Sequence, residues 1–235
     1  MAVILEKQRI VLRFENTVLT TDPYGGGGSD ELNINVFGGD LFLIRLARLE
    51  QTSAFADASA GIFQPMRGTV YFLGRNWEVL SPDHANALRG RIGRVFSEGN
   101  WIKHLSLMEN ILLPQLHHTR RAAGQIRDEA AGLAERFGLP GAPVGLPGNF
   151  IGADLQRAAC VRAFLGRPSL ILLEEPTTGM VSEIASPLIH AIGNARDRGA
   201  AVIWLTRENA IWNDSSIPAT YRYRLVGRKL MEVTV

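Results

Sequence analysis

Three runs of unbroken apolar residues, Leu41–Ile44, Leu170–Leu173 and Ala201–Leu205, constrain this chain more than any other feature. None alternates polar with apolar, so each predicts a short strand buried on both faces. Such strands stay dry only when helices cover the sheet on both sides. Helical segments do follow: Asp154–Leu165 precedes the second run, and Ile184–Arg198 lies between the second and third. The alternation predicts an α/β core with a parallel sheet.

Further strands are predicted at Ile10–Phe14, Leu32–Val36, Thr69–Leu73 and Arg91–Phe96. A turn-rich stretch, Thr20–Asp30, separates the first two, and its Gly25–Gly28 run makes a flexible tip. Residues 52–60 suit a helix with Gly61 as its stop. The middle of the chain is helical from Leu105 to about Phe137, including the amphipathic run Gly124–Phe137, and Gly138–Gly148 reads as a loop. Tyr221–Leu225 and Lys229–Val233 around Gly227 predict a terminal hairpin. A core of about 1–96 and 156–235 with a helical subdomain at about 97–155 follows.

Composition narrows the function classes. With 235 residues, 46% hydrophobic and 20% charged, the chain can bury a large core, which excludes disorder. Its formal net charge of +2 does not point to a nucleic-acid partner. One cysteine, Cys160, allows no internal disulfide, and the five histidines show no zinc spacing, so no metal is expected. No apolar run approaches the roughly 20 residues of a membrane span. Met1–Lys7 does not have the build of a signal peptide, and a soluble, cytoplasmic protein is expected. The chain has only three lysines, Lys7, Lys103 and Lys229.

Four stretches resemble the nucleotide-binding domain of ABC transporters. Gly38–Ile44 is similar to the glycine–acid turn and strand before that family's phosphate loop, and Ser59–Val70 resembles the segment just after it. Arg91–Phe96 with Leu107–Ile111 is similar to the Q-loop strand and its helix. Gln156–Ala159, followed by Leu170–Thr177 (LILLEEPT), resembles the end of the signature helix and the Walker B strand, and is the most specific of the four. The resemblance implies a RecA-like P-loop NTPase core of ABC ATPase type with an inserted helical subdomain.

The resemblance also names site positions, and most hold the wrong residue. A phosphate loop needs glycines that let backbone N–H groups converge, a lysine, and a hydroxyl for magnesium. The matching segment is Leu46–Ser53 (LARLEQTS): leucine and glutamine replace glycines, Thr52 stands at the lysine position, and only Ser53 is left as a magnesium ligand. Ser53 as a helix N-cap is the plainer reading of that residue. Ser97 takes the Q-loop glutamine position and Glu174 the Walker B aspartate position. Ile151, Gly152 and Ala153 form the signature loop, its serine replaced by Ile151. Glu175 stands at the catalytic-glutamate position, Val181 at the D-loop aspartate and Arg207 at the switch histidine, while Tyr24 is a candidate to stack on adenine. Trp101, Ile102 and Leu105 fall where the family contacts its permease, or else belong to the core.

The resemblance therefore implies a non-hydrolysing ABC-type subunit with no cofactor, or weak Mg-ATP. Its partners would be an integral membrane permease and a second, intact ABC ATPase or its own copy, on the inner face of the cytoplasmic membrane. A divergent active ATPase retaining Ser53, Glu174 and Glu175, and a protein-binding scaffold outside transport, are the alternatives. Ser97–His118 resembles the matching segment of mammalian-cell-entry-type lipid transport systems, and nearly as well that of a lipoprotein-release or efflux ATPase subunit.

Overall fold

A computed structural model describes residues 9–20, 28–178 and 181–233. Its main sheet contains β3 (Leu41–Arg45), β6 (Ile92–Val95), β7 (Leu170–Glu174), β8 (Ala201–Thr206), β9 (Tyr221–Val226) and β10 (Lys229–Glu232), in the order β10-β9-β3-β8-β7-β6. All neighbours run parallel except the β9–β10 hairpin. Leu43 lies beside Trp204 and Leu172 beside Ile203, so the three unbroken apolar runs are adjacent strands at the sheet's centre. Every residue of β7 and β8 is buried, the outcome expected of strands covered on both faces.

The two faces of the sheet feed two cores. Leu41, Leu43, Leu173 and Trp204 pack against the helical layer of α3 (Leu107–His118), α4 (Ala123–Arg136), α5 (Gly152–Phe164) and α6 (Val181–Asp197). Phe42, Ile44, Leu172 and Ile203 face the other way, onto α1 (Leu49–Ser59) and a second, antiparallel sheet. That sheet runs β2-β1-β4-β5, built from β1 (Ile10–Val18), β2 (Leu32–Phe37), β4 (Arg67–Phe72) and β5 (Arg75–Asn76).

Several elements differ from the sequence expectation. The helical run from Leu105 to Phe137 is two helices separated by 119–122, with α3 opened by a reciprocal Ser106–Glu109 capping box. A short helix α2 (Pro82–Arg89) follows Ser81, with Pro82 at its first turn. Another, α7 (Asn209–Asn213), follows β8. The terminal hairpin does not stand alone: β9 pairs in parallel with β3 and extends the main sheet. Among the described residues no helix is long and apolar enough to cross a membrane.

Candidate functional site

The site lies at the carboxyl ends of β3, β7 and β8, where open α/β sheets hold their ligands. The segment Leu46–Ser53 does not form an open, glycine-lined loop. After β3 ends at Arg45 the chain turns through three residues and α1 starts at Leu49. The Gln51 side-chain oxygen accepts from the backbone N–H groups of Ala47 and Arg48, both at 3.2 Å. Converging backbone N–H groups are the part of a phosphate loop that binds anion; here the chain's own amide oxygen takes two of them. Thr52 is fully buried and its hydroxyl donates back to the Arg48 carbonyl, so it turns away from solvent.

Ser53 is not an N-cap. It sits in the second turn of α1, one turn deeper than expected because the helix begins before it. Its hydroxyl donates to Glu174 Oε2 at 3.3 Å. The other oxygen of Glu174, at the end of β7, accepts from Arg94 Nε at 2.6 Å, and Arg94 Nη1 reaches Asp57 of α1 at 2.6 Å. The Glu174 side chain is 1% exposed and that of Arg94 8%, so this is a buried pair with a half-buried third member. Burial raises the Glu174 pKa, and the Arg94 guanidinium pulls against that rise. Arg94 also lies over the Phe96 ring, 4.4 Å from its centre.

Sequence reading did not find Arg94. A lone arginine in a four-residue strand carries no motif. The signal was the charge itself: β6 runs beside β7, which is apolar up to its terminal Glu174, and an arginine there needs a buried carboxylate.

Glu175 follows β7 at φ 48°, a left-handed turn for a non-glycine residue. The turn sends its carboxylate inward, where it is 3% exposed. Oε1 accepts from the backbone N–H and Nε of Arg207, at 2.8 and 2.9 Å, and Oε2 from the Thr206 hydroxyl at 3.3 Å. The two positions Glu175 and Arg207, read separately in the sequence, thus form one ion pair. Gln156 of α5 ties this turn down by donating to the Pro176 carbonyl at 2.8 Å.

A cleft of about 500 Å³ opens beside these groups. Ser53, Ser97, Glu174 and Arg94 line it, with Glu50, Asp57 and Glu98. Among the described residues, four carboxylates line it against one guanidinium, the wrong sign for a polyphosphate. The described residues do not fit magnesium with ATP: a guanidinium already lies against the acid at the metal position, Gln51 takes two of the loop N–H groups, and no lysine is among the described lining.

The remaining predicted residues lie elsewhere. Ile151 is the N-cap of α5 and is 68% exposed, and no side chain caps that helix; Gly152 and Ala153 form its first turn. Trp101 is half-buried against the helical core under the Arg162 guanidinium, which is 4.3 Å from its ring centre. Ile102 and Leu105 lie in a loop pinned by buried Asn110, which accepts from Ile102 N–H and donates to both their carbonyls. Tyr24 and the Gly25–Gly27 tip fall outside the described residues, as does the Val181 side chain.

Comparison with known proteins gives a family match, two relatives and a fold match. A family model described as ABC transporter matches residues 53–178, just over half of the chain, and begins at Ser53, the last residue of the Leu46–Ser53 segment. The octopine permease ATP-binding protein P of Rhizobium meliloti is 29% identical over 143 residues, covering 61% of this chain and 55% of that protein. The macrolide export ATP-binding/permease protein MacB of Escherichia coli is 26% identical over 191 residues, covering 79% of this chain and 29% of that protein. The chain thus spans about half the length of the opine permease relative and under a third of the exporter. In fold it matches the dimeric structure of MJ0796, a bacterial ABC transporter cassette, with a TM-score of 0.81 at 19% identity, covering 95% of this chain and 99% of that one.

Proposed function

From the premise that the chain belongs to the ABC transporter family, we propose that it is an ATP-binding-type subunit that docks on a membrane permease without hydrolysing ATP. The observation that carries this reading is the Arg94–Glu174–Ser53 cluster, in which a built-in guanidinium holds the acid and hydroxyl that would otherwise serve a metal. Phosphoryl transfer depends almost wholly on positioning and charge stabilisation. With the Ala47 and Arg48 N–H groups held by Gln51 and Glu175 paired to Arg207, both the cradle and the water-orienting carboxylate are engaged within the chain.

ATP-driven closure then needs an intact ATPase paired with this chain, which would offer its Phe150–Asp154 loop to the partner's nucleotide. The permease would bind the surface that carries Ile102 and Leu105, at the inner face of the cytoplasmic membrane. The likeness of 97–118 to lipid-trafficking systems supports a lipid as cargo, whereas the named relatives are an octopine permease ATP-binding protein and a macrolide export protein.

Two measurements test the reading. Titration calorimetry of the chain with Mg-ATP is expected to show no binding up to millimolar nucleotide; tight, magnesium-dependent binding overturns it. Purification of the native membrane complex is expected to yield this chain, a permease and a second ATPase. A complex of this chain and a permease alone, with no ATP dependence, removes the paired-ATPase part.

A further inference from the structure

We infer that the groove between α4 and α6 binds a small amphiphilic anion, with one carboxylate or phosphate head on an apolar body. The inference stands apart from the ATP and permease readings above. The groove lies in the helical layer and shares no described lining residue with the acidic cleft.

The sequence of α6 gives that helix two faces. Ile184, Leu188, Ile192 and Ala195, three or four residues apart, are buried in the core of the helical layer. The neighbouring stripe, from Ser186 to Asn194, lines the groove. Leu133, Arg136 and Phe137 of α4 form the facing wall. Phe164, the last residue of α5, also lines it, its ring centre 5.8 Å from that of Phe137. The groove holds about 340 Å³. Pockets for small molecules run from about 300 to 1,000 Å³, so the space suits a small ligand.

Charge decides the head group. Among the described residues no aspartate or glutamate lines the groove, whereas Arg136 and Arg198 do. Neither arginine has an ion-pair partner among the described residues. Both stand at helix ends, Arg136 in the last turn of α4 and Arg198 just past α6. A helix C-terminus supplies only about half a negative charge, which leaves each arginine net positive.

A guanidinium fork donates two parallel bonds to a carboxylate or phosphate. Asn194 stands one turn before Arg198; its Nδ2 is 3.5 Å from His190 Nε2 and keeps a second N–H to offer. Leu133, Pro187 and Ala191 are half-buried, so each keeps apolar surface that a ligand's body would cover. An organic cation would meet two arginines and no counter-charge.

The test is ligand-observed NMR of the full chain with octanoate and with octyl phosphate. Octyltrimethylammonium, octanol, acetate and inorganic phosphate are the comparison probes. At least one of the two amphiphilic anions is expected to bind at sub-millimolar concentration, more tightly than every comparison probe. Binding of octanoate alone assigns the head as a carboxylate, and of octyl phosphate alone as a phosphate. Affinity should fall at least about tenfold in the double variant Arg136→Gln/Arg198→Gln. It should be lost in Ser186→Trp, which fills the groove from an exposed position, with thermal melts confirming that both variants fold. Failure of both anions to bind, or equal binding by any comparison probe, overturns the inference. So does affinity that is unchanged in either variant.

Discussion

Replacing Arg94 by methionine should cost far more than a surface ion pair. The substitution keeps apolar bulk over Phe96 but leaves Glu174, 1% exposed, without its cation. Removing one partner of a buried pair costs about 3–5 kcal/mol, because the remaining charge stays desolvated. The second contact, to Asp57 at 32% side-chain exposure, adds little because water screens it. For a domain of this size that loss corresponds to a fall in Tm of about 6–20 °C.

Urea denaturation followed by circular dichroism measures the loss directly. The double variant Arg94→Met/Glu174→Leu removes both charges and should recover most of the stability, since an apolar replacement of a buried pair is commonly neutral.

The pH dependence has a definite sign. The folded-state pKa of Glu174 is already raised by burial, and removing Arg94 takes away an influence that lowers it. A carboxyl whose folded pKa exceeds its unfolded one is penalised above the folded pKa, and the penalty fades as the pH falls through it. The deficit of Arg94→Met relative to the parent should therefore be smaller at pH 5 than at pH 8. A deficit below about 1 kcal/mol, the range of exposed pairs, or a double variant no more stable than the single one, refutes the argument.

Further outcomes follow from other parts of the site and core. On the non-hydrolysing reading proposed above, neither the parent nor Glu175→Gln should hydrolyse ATP, and Glu175→Gln should cost about 1 kcal/mol or less. Glu175→Leu should cost about 2–3 kcal/mol by stranding the Thr206 hydroxyl and the Arg207 N–H; phosphate release that vanishes in Glu175→Gln refutes this. Gly93→Ala should destabilise by about 3 kcal/mol, because its Cβ would run into the Ala163 carbonyl where α5 crosses β6. A melt within 2–3 °C of the parent, about 1 kcal/mol, would show that α5 shifts freely. Cys160 is fully buried and its thiol is pushed up to about 12, so Ellman's reagent should label it only after unfolding. Prompt labelling of the native chain would contradict that packing.

The strands of the core were legible in the sequence because parallel strands covered on both faces must be apolar throughout. Leu41–Ile44, Leu170–Leu173 and Ala201–Leu205 leave no room for another reading. That Leu46–Ser53 holds no glycine and no lysine was equally legible, since an absent residue type is absent in any conformation. Helix α2 escaped notice because eight residues give little periodicity, although Ser81-Pro82 before it was a usable start signal.

Which charged groups of the site pair with one another could not be read from the chain. Arg94 meets Asp57 and Glu174 only because the fold sets β6 beside β7 and lays α1 across their ends. Glu175 meets Arg207 only because β7 and β8 are neighbours. The Ser53 role changed for a related reason: the helix start depended on how the turn after β3 closed, which Gln51 decided by accepting from two backbone N–H groups. The order of residues fixes which charges the chain owns. Only the tertiary structure determines which of them neutralise one another, because that depends on distance and burial between segments far apart in sequence.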